Sequence, residues 1–154
     1  MELDNQTSKE VPKIQKPPVN SEYGYCAVTA DILHVGHIRF LKKASEYCKY
    51  LLVGIMTDDY IITKKKRTPI MSECERKEIV DSLKFVWMTF YQDDFSFNEI
   101  TTKIKKGVHL DHLLIIDSED HARPEAKVLI APSKCISSTI IRQRVYESFN
   151  NSKR

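Results

Sequence analysis

Residues 23–56 read YGYCAVTADILHVGHIRFLKKASEYCKYLLVGIM, and the order of apolar runs in this stretch decides the fold. YGYCAVT (23–29) is a short apolar run that stops before a turn, as a buried strand does. HIRFLKKASEYC (37–48) carries Ile38, Leu41, Ala44 and the Tyr47-Cys48 pair at helical spacing. YLLVGIM (50–56) is a second apolar run of strand length. Strand, helix and strand in this order, with the strands apolar on both faces, form the unit of a parallel sheet covered on both sides.

The alternation continues downstream. Ser72 and Glu75 have the spacing of a capping box, which predicts a helix running on through ERKEIVDSLK (75–84). FVWMTFY (85–91) reads as a third strand, FNEITTKIKKG (97–107) as a helix stopped by Gly107, and DHLLIID (111–117) as a fourth strand. KVLIAP (127–132) is a fifth strand and SSTIIRQRVYESF (137–149) a closing amphipathic helix. TDDYIITKKKRTPIM (57–71) reads as a mobile loop with one short helical turn. The expected fold is α/β: a single Rossmann-like, doubly wound, parallel five-stranded sheet over residues 21–150. Residues 1–20 are polar, hold three of the six prolines and show no hydrophobic period, so they predict a flexible N-terminal tail.

A chain of 154 residues has room for one core. The net charge of +3 suits a small anionic ligand and is too weak and dispersed for nucleic acid as the main partner. Cys26, Cys48, Cys74 and Cys135 lie far apart with no CxxC pair, which predicts free thiols in a reducing compartment rather than a disulfide framework or a zinc site. No apolar run approaches the roughly 20 residues that cross a bilayer. The start of the chain lacks the basic-then-apolar profile of a signal peptide, so the expected location is cytoplasmic.

Three clusters carry candidate chemistry. The first is Thr29-Ala30-Asp31-Ile32-Leu33-His34-Val35-Gly36-His37, where strand one hands over to helix one. Ligands of open α/β sheets collect at such turns, and a helix start offers free N–H groups and a positive dipole end to a phosphate. Gly36 lacks a Cβ, which lets a phosphate approach the backbone. His34 and His37 can both donate to one phosphate chain. The second cluster is Lys64-Lys65-Lys66-Arg67, a cationic run after strand two. The third is Ser137-Ser138-Thr139, where Ser137 caps the last helix and the hydroxyls of its first turn gather beside free N–H groups.

TADILHVGH resembles the HxGH signature of the cytidylyltransferase-like nucleotidyltransferases, and the glycerol-3-phosphate cytidylyltransferase group most. ISSTxIR (136–142) resembles that family's second nucleotide motif, and the two together, about 100 residues apart, are more specific than either. The resemblance implies that His34 and His37 are catalytic and stabilise the transition state at the α-phosphorus. Thr29 and Gly36 in the first motif, and Ser137, Ser138 and Thr139 in the second, would hold the phosphates. It further implies a loop lysine over the α-phosphate, with Lys66 the first choice and Lys64 the second. Arg76, in a Ser-x-x-x-Arg element opened by Ser72, would approach the acceptor's phosphate. Ala30, Asp31 and Asp117 become candidate nucleotide contacts. Mg²⁺ would arrive on the nucleotide phosphates rather than in a protein cage.

Three departures are visible. The arginine that opens the family's second motif is replaced by Pro132-Ser133-Lys134-Cys135, leaving Lys134 as a substitute charge. Phe85-Val86-Trp87 alters a region tied to dimer contact, so a homodimer is implied by the family alone. SEDHARPEA (118–126) is shorter than the family's segment and faces the acceptor, with His121 and Arg123 either acceptor ligands or exposed loop residues. The expected reaction moves CMP from CTP to a phosphate or phosphonate of a small molecule such as glycerol 3-phosphate. Two alternatives stay open: an adenylyltransferase of the same fold using ATP, and a non-catalytic nucleotide-binding module.

Overall fold

The structure, a computed structural model, describes residues 21–104 and 113–152, with Phe97 described in its backbone alone. The tail expected over 1–20 and the helix stop at Gly107 lie outside the described residues. Five strands form one parallel sheet: β1 (Ser21–Val28), β2 (Cys48–Met56), β3 (Met88–Gln92), β4 (Leu113–Ser118) and β5 (Val128–Ile130). Between and after them run α1 (Val35–Ser45), α2 (Asp58–Lys65), α3 (Glu73–Asp81), α4 (Phe97–Ile104), a short 3₁₀ turn (Glu119–His121) and α5 (Ser138–Asn151). The strand order is β3-β2-β1-β4-β5, every neighbouring pair parallel. Chain order therefore reverses between β1 and β4, the doubly wound arrangement expected.

The period of two sorts the apolar residues to opposite faces. Cys26, Val53 and Ile116 join Leu41 of α1 and Val80 of α3 in one core layer. Their chain neighbours Tyr25, Leu52 and Ile115 join Ile100 and Ile104 of α4 in the other. Both faces are covered, which is why these strands read as continuous apolar runs. All four cysteines are free thiols.

Some boundaries differ from the sequence reading. The segment after β2 is a helix of 8 residues, α2, where a loop with one turn was expected. Thr57 caps it by accepting from Tyr60 N, Asp58 and Asp59 sit at its positive end, and Lys64 and Lys65 at its negative end. Only Ile61 anchors it in the core, so no apolar period announced it. Residues 85–87 precede β3 rather than belonging to it, because Val86 N closes a turn on Leu83 O at 2.9 Å. α5 has no buried side chain, and Val145 and Tyr146 are exposed.

Candidate active site

β1 ends at Val28 and the chain turns back into α1 through Thr29–His34. Ala30 (φ 55°) and Ile32 (φ 56°) adopt the left-handed region in that turn. For a β-branched side chain this conformation costs on the order of 1–3 kcal/mol, so something must hold it. The Asp31 carboxylate between them does. Its side chain is fully buried, and Oδ1 accepts from Ile70 N at 3.0 Å and Met71 N at 3.1 Å. Oδ2 accepts from Arg67 Nη1 at 2.6 Å and from Arg142 Nη2. Burial works to raise the Asp31 pKa, but these N–H groups and guanidinia outweigh it and hold the carboxyl below its ordinary value. Asp31 thus fastens three segments together and has no lone pair left for a ribose or base. Expected as a nucleotide contact, Asp31 is bonded in this structure to partners within the protein.

His34 is the N-cap of α1, and its Nδ1 accepts from Gly36 N at 3.0 Å. His37 returns the bond: its Nδ1 accepts from His34 N at 3.4 Å, a reciprocal cap made with two imidazoles. Each Nδ1 is therefore an acceptor, which puts the proton of the neutral ring on Nε2 and leaves that N–H to donate elsewhere. The rings lie 4.0 Å apart between centroids. Burial, then the neighbouring His34 and Lys65, pushes the His37 pKa down to about 4, and burial lowers His34 as well. The pair is neutral at pH 7 in the free protein. A Cβ at Gly36 would lie 2.8 Å from His34 Cε1 and 3.2 Å from Ile136 Cγ2. The missing Cβ at Gly36 leaves room for the His34 ring and for Ile136.

Ile136 opens the second motif, and the two motifs meet here. Ser138 Oγ donates to Asp31 O at 2.8 Å, Ser137 caps α5 by accepting from Ile140 N at 3.2 Å, and Thr139 is exposed in the first turn. From the other side Lys65 Nζ donates to Thr29 Oγ1 at 2.6 Å. Loss of hydration, then Arg67 and Arg76, lowers the Lys65 pKa. The lysines favoured from sequence are placed differently: Lys64 is exposed, and Lys66 is an exposed C-cap at φ 53°. Lys65 is exposed as well, but it follows Ile61 by four residues on the same side of α2 and its Nζ reaches Thr29, a signal hidden while this segment read as loop. Arg142 was not singled out, although the helix that carries it was expected. It sits one turn beyond Ser138, so both reach Asp31 from one face of α5.

Arg76, expected at the acceptor's phosphate, is likewise bonded within the protein. It is fully buried, donating from Nη1 to Thr29 O (2.6 Å) and Met56 O (2.7 Å), and from Nε to Met71 O (3.1 Å). Nη2 pairs with Asp58 Oδ1 at 2.5 Å. It ties the ends of β1 and β2 to α3. Asp117 and Arg123, expected to meet nucleotide and acceptor, instead hold each other: Arg123 N donates to Asp117 Oδ2 at 2.8 Å, and the guanidinium makes further bonds to both carboxylate oxygens. That guanidinium lies over the rings of Tyr25 and Phe95, 5.0 and 5.4 Å from their centroids. His121 is exposed in the 3₁₀ turn. Among the described residues no group of three or more His, Cys, Asp or Glu is arranged to hold a metal ion, and no helix is long and apolar enough to cross a membrane.

A doubly wound sheet with two motifs joined at its switch point defines the class: an open α/β domain of the kind whose ligands collect at the carboxyl ends of the strands. The chain belongs to the cytidylyltransferase-like family, which it matches over residues 25–144. It is 48% identical over 56 residues to an FAD synthase of Thermococcus sibiricus, 36% of this chain and 38% of the relative. An FAD synthase of Ferroglobus placidus is 36% identical over 80 residues, 52% and 51% of the two chains. These matches span about half of the FAD synthases' length or less. Glycerol-3-phosphate cytidylyltransferase of Bacillus subtilis is 29% identical over 126 residues, 76% of this chain and 92% of the relative. The crystal structure of a lipopolysaccharide core biosynthesis protein from Thermoplasma volcanium shares the fold, with a TM-score of 0.54, 17% identity, and coverage of 82% and 87%.

Proposed function

We propose that this protein is a nucleotidyltransferase that moves a nucleoside monophosphate from a nucleoside triphosphate to a phosphate-bearing small molecule. The observation that carries it is the junction at Thr29–His37, where the imidazole pair, Lys65 and the hydroxyl-rich start of α5 gather around one turn. In-line displacement needs little else. An oxygen of the acceptor's phosphate attacks the α-phosphorus, the bond from that phosphorus to the β-bridging oxygen breaks, and pyrophosphate leaves. A phosphate monoester is nucleophilic at pH 7 without a base. The Nε2–H groups of His34 and His37 and the Lys65 ammonium would donate to oxygens whose charge grows in the transition state. Ser137, Ser138, Thr139 and Thr29 would hold the phosphates.

Magnesium enters this scheme as part of the nucleotide substrate, where it neutralises phosphate charge. The donor set fits, since Asp31 and Asp117 already spend their carboxylates on arginines.

The donor we assign is CTP, with glycerol 3-phosphate the first acceptor to try. The likeness to the Bacillus subtilis enzyme over 92% of that enzyme's length favours this. ATP is the second reading, favoured by the higher identity to FAD synthases over shorter stretches. Pyrophosphate release with CTP and glycerol 3-phosphate, set beside ATP and flavin mononucleotide, separates the two, and release with neither pair would remove the catalytic reading. A homodimer belongs to the same proposal, and the mass of the protein in solution tests it.

A further inference from the structure

Asp31 Oδ2 receives two guanidinia at once, Arg67 from the loop after α2 and Arg142 from α5. One carboxylate cannot neutralise two such groups, and Lys65 adds a third cation at the same turn. Each arginine uses one of its five donors on Asp31, and no other partner of either is found among the described residues. Their side chains are 32% and 30% exposed, so the remaining N–H groups meet solvent. A cluster with surplus positive charge and unspent forks is built for an anion of several charges. Lys134, the substitute charge in residues 132–135, is exposed.

We propose that Arg67 is a phosphate-binding residue of the triphosphate site, aimed by Asp31, and that it supplies the guanidinium absent from residues 132–135. This rests on the nucleotidyltransferase reading. Arg67 is well placed for the task. The loop that carries it leaves α2 through the left-handed Lys66 and is pinned to the histidine turn by three bonds to one carboxylate, from Arg67, Ile70 N and Met71 N. Asp31 would act as a positioning residue, setting the loop's guanidinium and that of Arg142 side by side while staying shielded from the ligand.

Inorganic tripolyphosphate, which has no base or sugar, isolates this site from the question of CTP or ATP. Calorimetric titration of the full chain should show binding, weakened about tenfold or more in Arg67→Gln. The same variant should raise the KM for the nucleotide by a similar factor while kcat changes less, a split that a folding defect would not give. Arg67→Lys keeps a cation on Asp31 and loses the fork, so its affinity should fall between wild type and Arg67→Gln. Affinity unchanged in a folded Arg67→Gln or Arg67→Lys would overturn the assignment of Arg67 and leave the nucleotidyltransferase reading intact. Wild-type protein that ignores tripolyphosphate and nucleotides alike would remove that reading, and this inference with it.

Discussion

Ser138 Oγ reaches across 107 positions of sequence to donate to the main-chain oxygen of Asp31 at 2.8 Å. The carboxylate of the same Asp31 takes Arg142 from the next turn of α5 and Arg67 from the loop after α2. One residue in a strained turn therefore registers the cap of the last helix, the basic loop and the histidine pair against each other. The strain at Ala30 and Ile32 is held by these bonds, and the site is organised by the same bonds.

Removing an imidazole should cost catalysis more than stability. His37 accepts only a long bond of 3.4 Å from His34 N, so His37→Ala should fold. Loss of a transition-state donor typically lowers kcat about 100- to 1,000-fold. Pyrophosphate release measured with circular dichroism on the same preparation checks this. Near-wild-type turnover in a folded variant would end the proposed role of the pair.

Lys65 and Lys66 are adjacent and should behave oppositely. Lys65→Ala loses the cation on Thr29 and should reduce kcat by a factor of the order expected for one donor, about 100-fold. Lys66 is an exposed residue in the left-handed region, where glycine is at ease. Lys66→Gly should keep activity and gain about 1 kcal/mol of stability. Steady-state kinetics and urea denaturation of the two variants read both effects, and the reverse pattern would restore Lys66 as the active lysine.

The fold was legible because its strands are buried on both faces and its helices mostly carry a clear apolar period. Two motifs and their meeting were legible as well. The partners of individual charges were not. Asp31, Asp117 and Arg76 became candidate ligands through the family resemblance, with Arg123 left open between acceptor ligand and loop residue, and only the three-dimensional contacts show these charges bonded within the protein. The choice among Lys64, Lys65 and Lys66 depended on recognising α2, whose single buried anchor, Ile61, left no period to read.

Arg76 gives a direct contrast between a structural tie and an acceptor ligand. Arg76→Met keeps bulk but removes bonds to three carbonyls and to Asp58. Asp58 is one-third exposed and can be rehydrated, but a buried carbonyl left without its donor costs about 1–3 kcal/mol, so the protein should lose about 3 kcal/mol or more. Chemical denaturation measures it. A variant of normal stability with a raised KM for the acceptor would return Arg76 to the acceptor site.

The histidine pair should also mark the protein's pH dependence. The folded pKa of His37 is pushed down to about 4, while an unfolded histidine titrates near 6.5. Between those values the unfolded chain binds more protons than the folded one, so stability falls as pH drops from about 6.5 towards 4. Asp31 acts lower on the scale: its depressed pKa contributes stability above the ordinary carboxylate range, and this is lost as pH falls through its folded value. Wild-type Tm should therefore begin to decline near pH 6.5 and steepen under pH 4, whereas His37→Gln should show a shallower first decline and keep the second. A bound triphosphate favours the charged imidazoles and should flatten the first decline in the wild type alone. Parallel curves for the two proteins, with and without tripolyphosphate, would mean that His37 titrates as it does in water and is neither buried nor poised beside an anion.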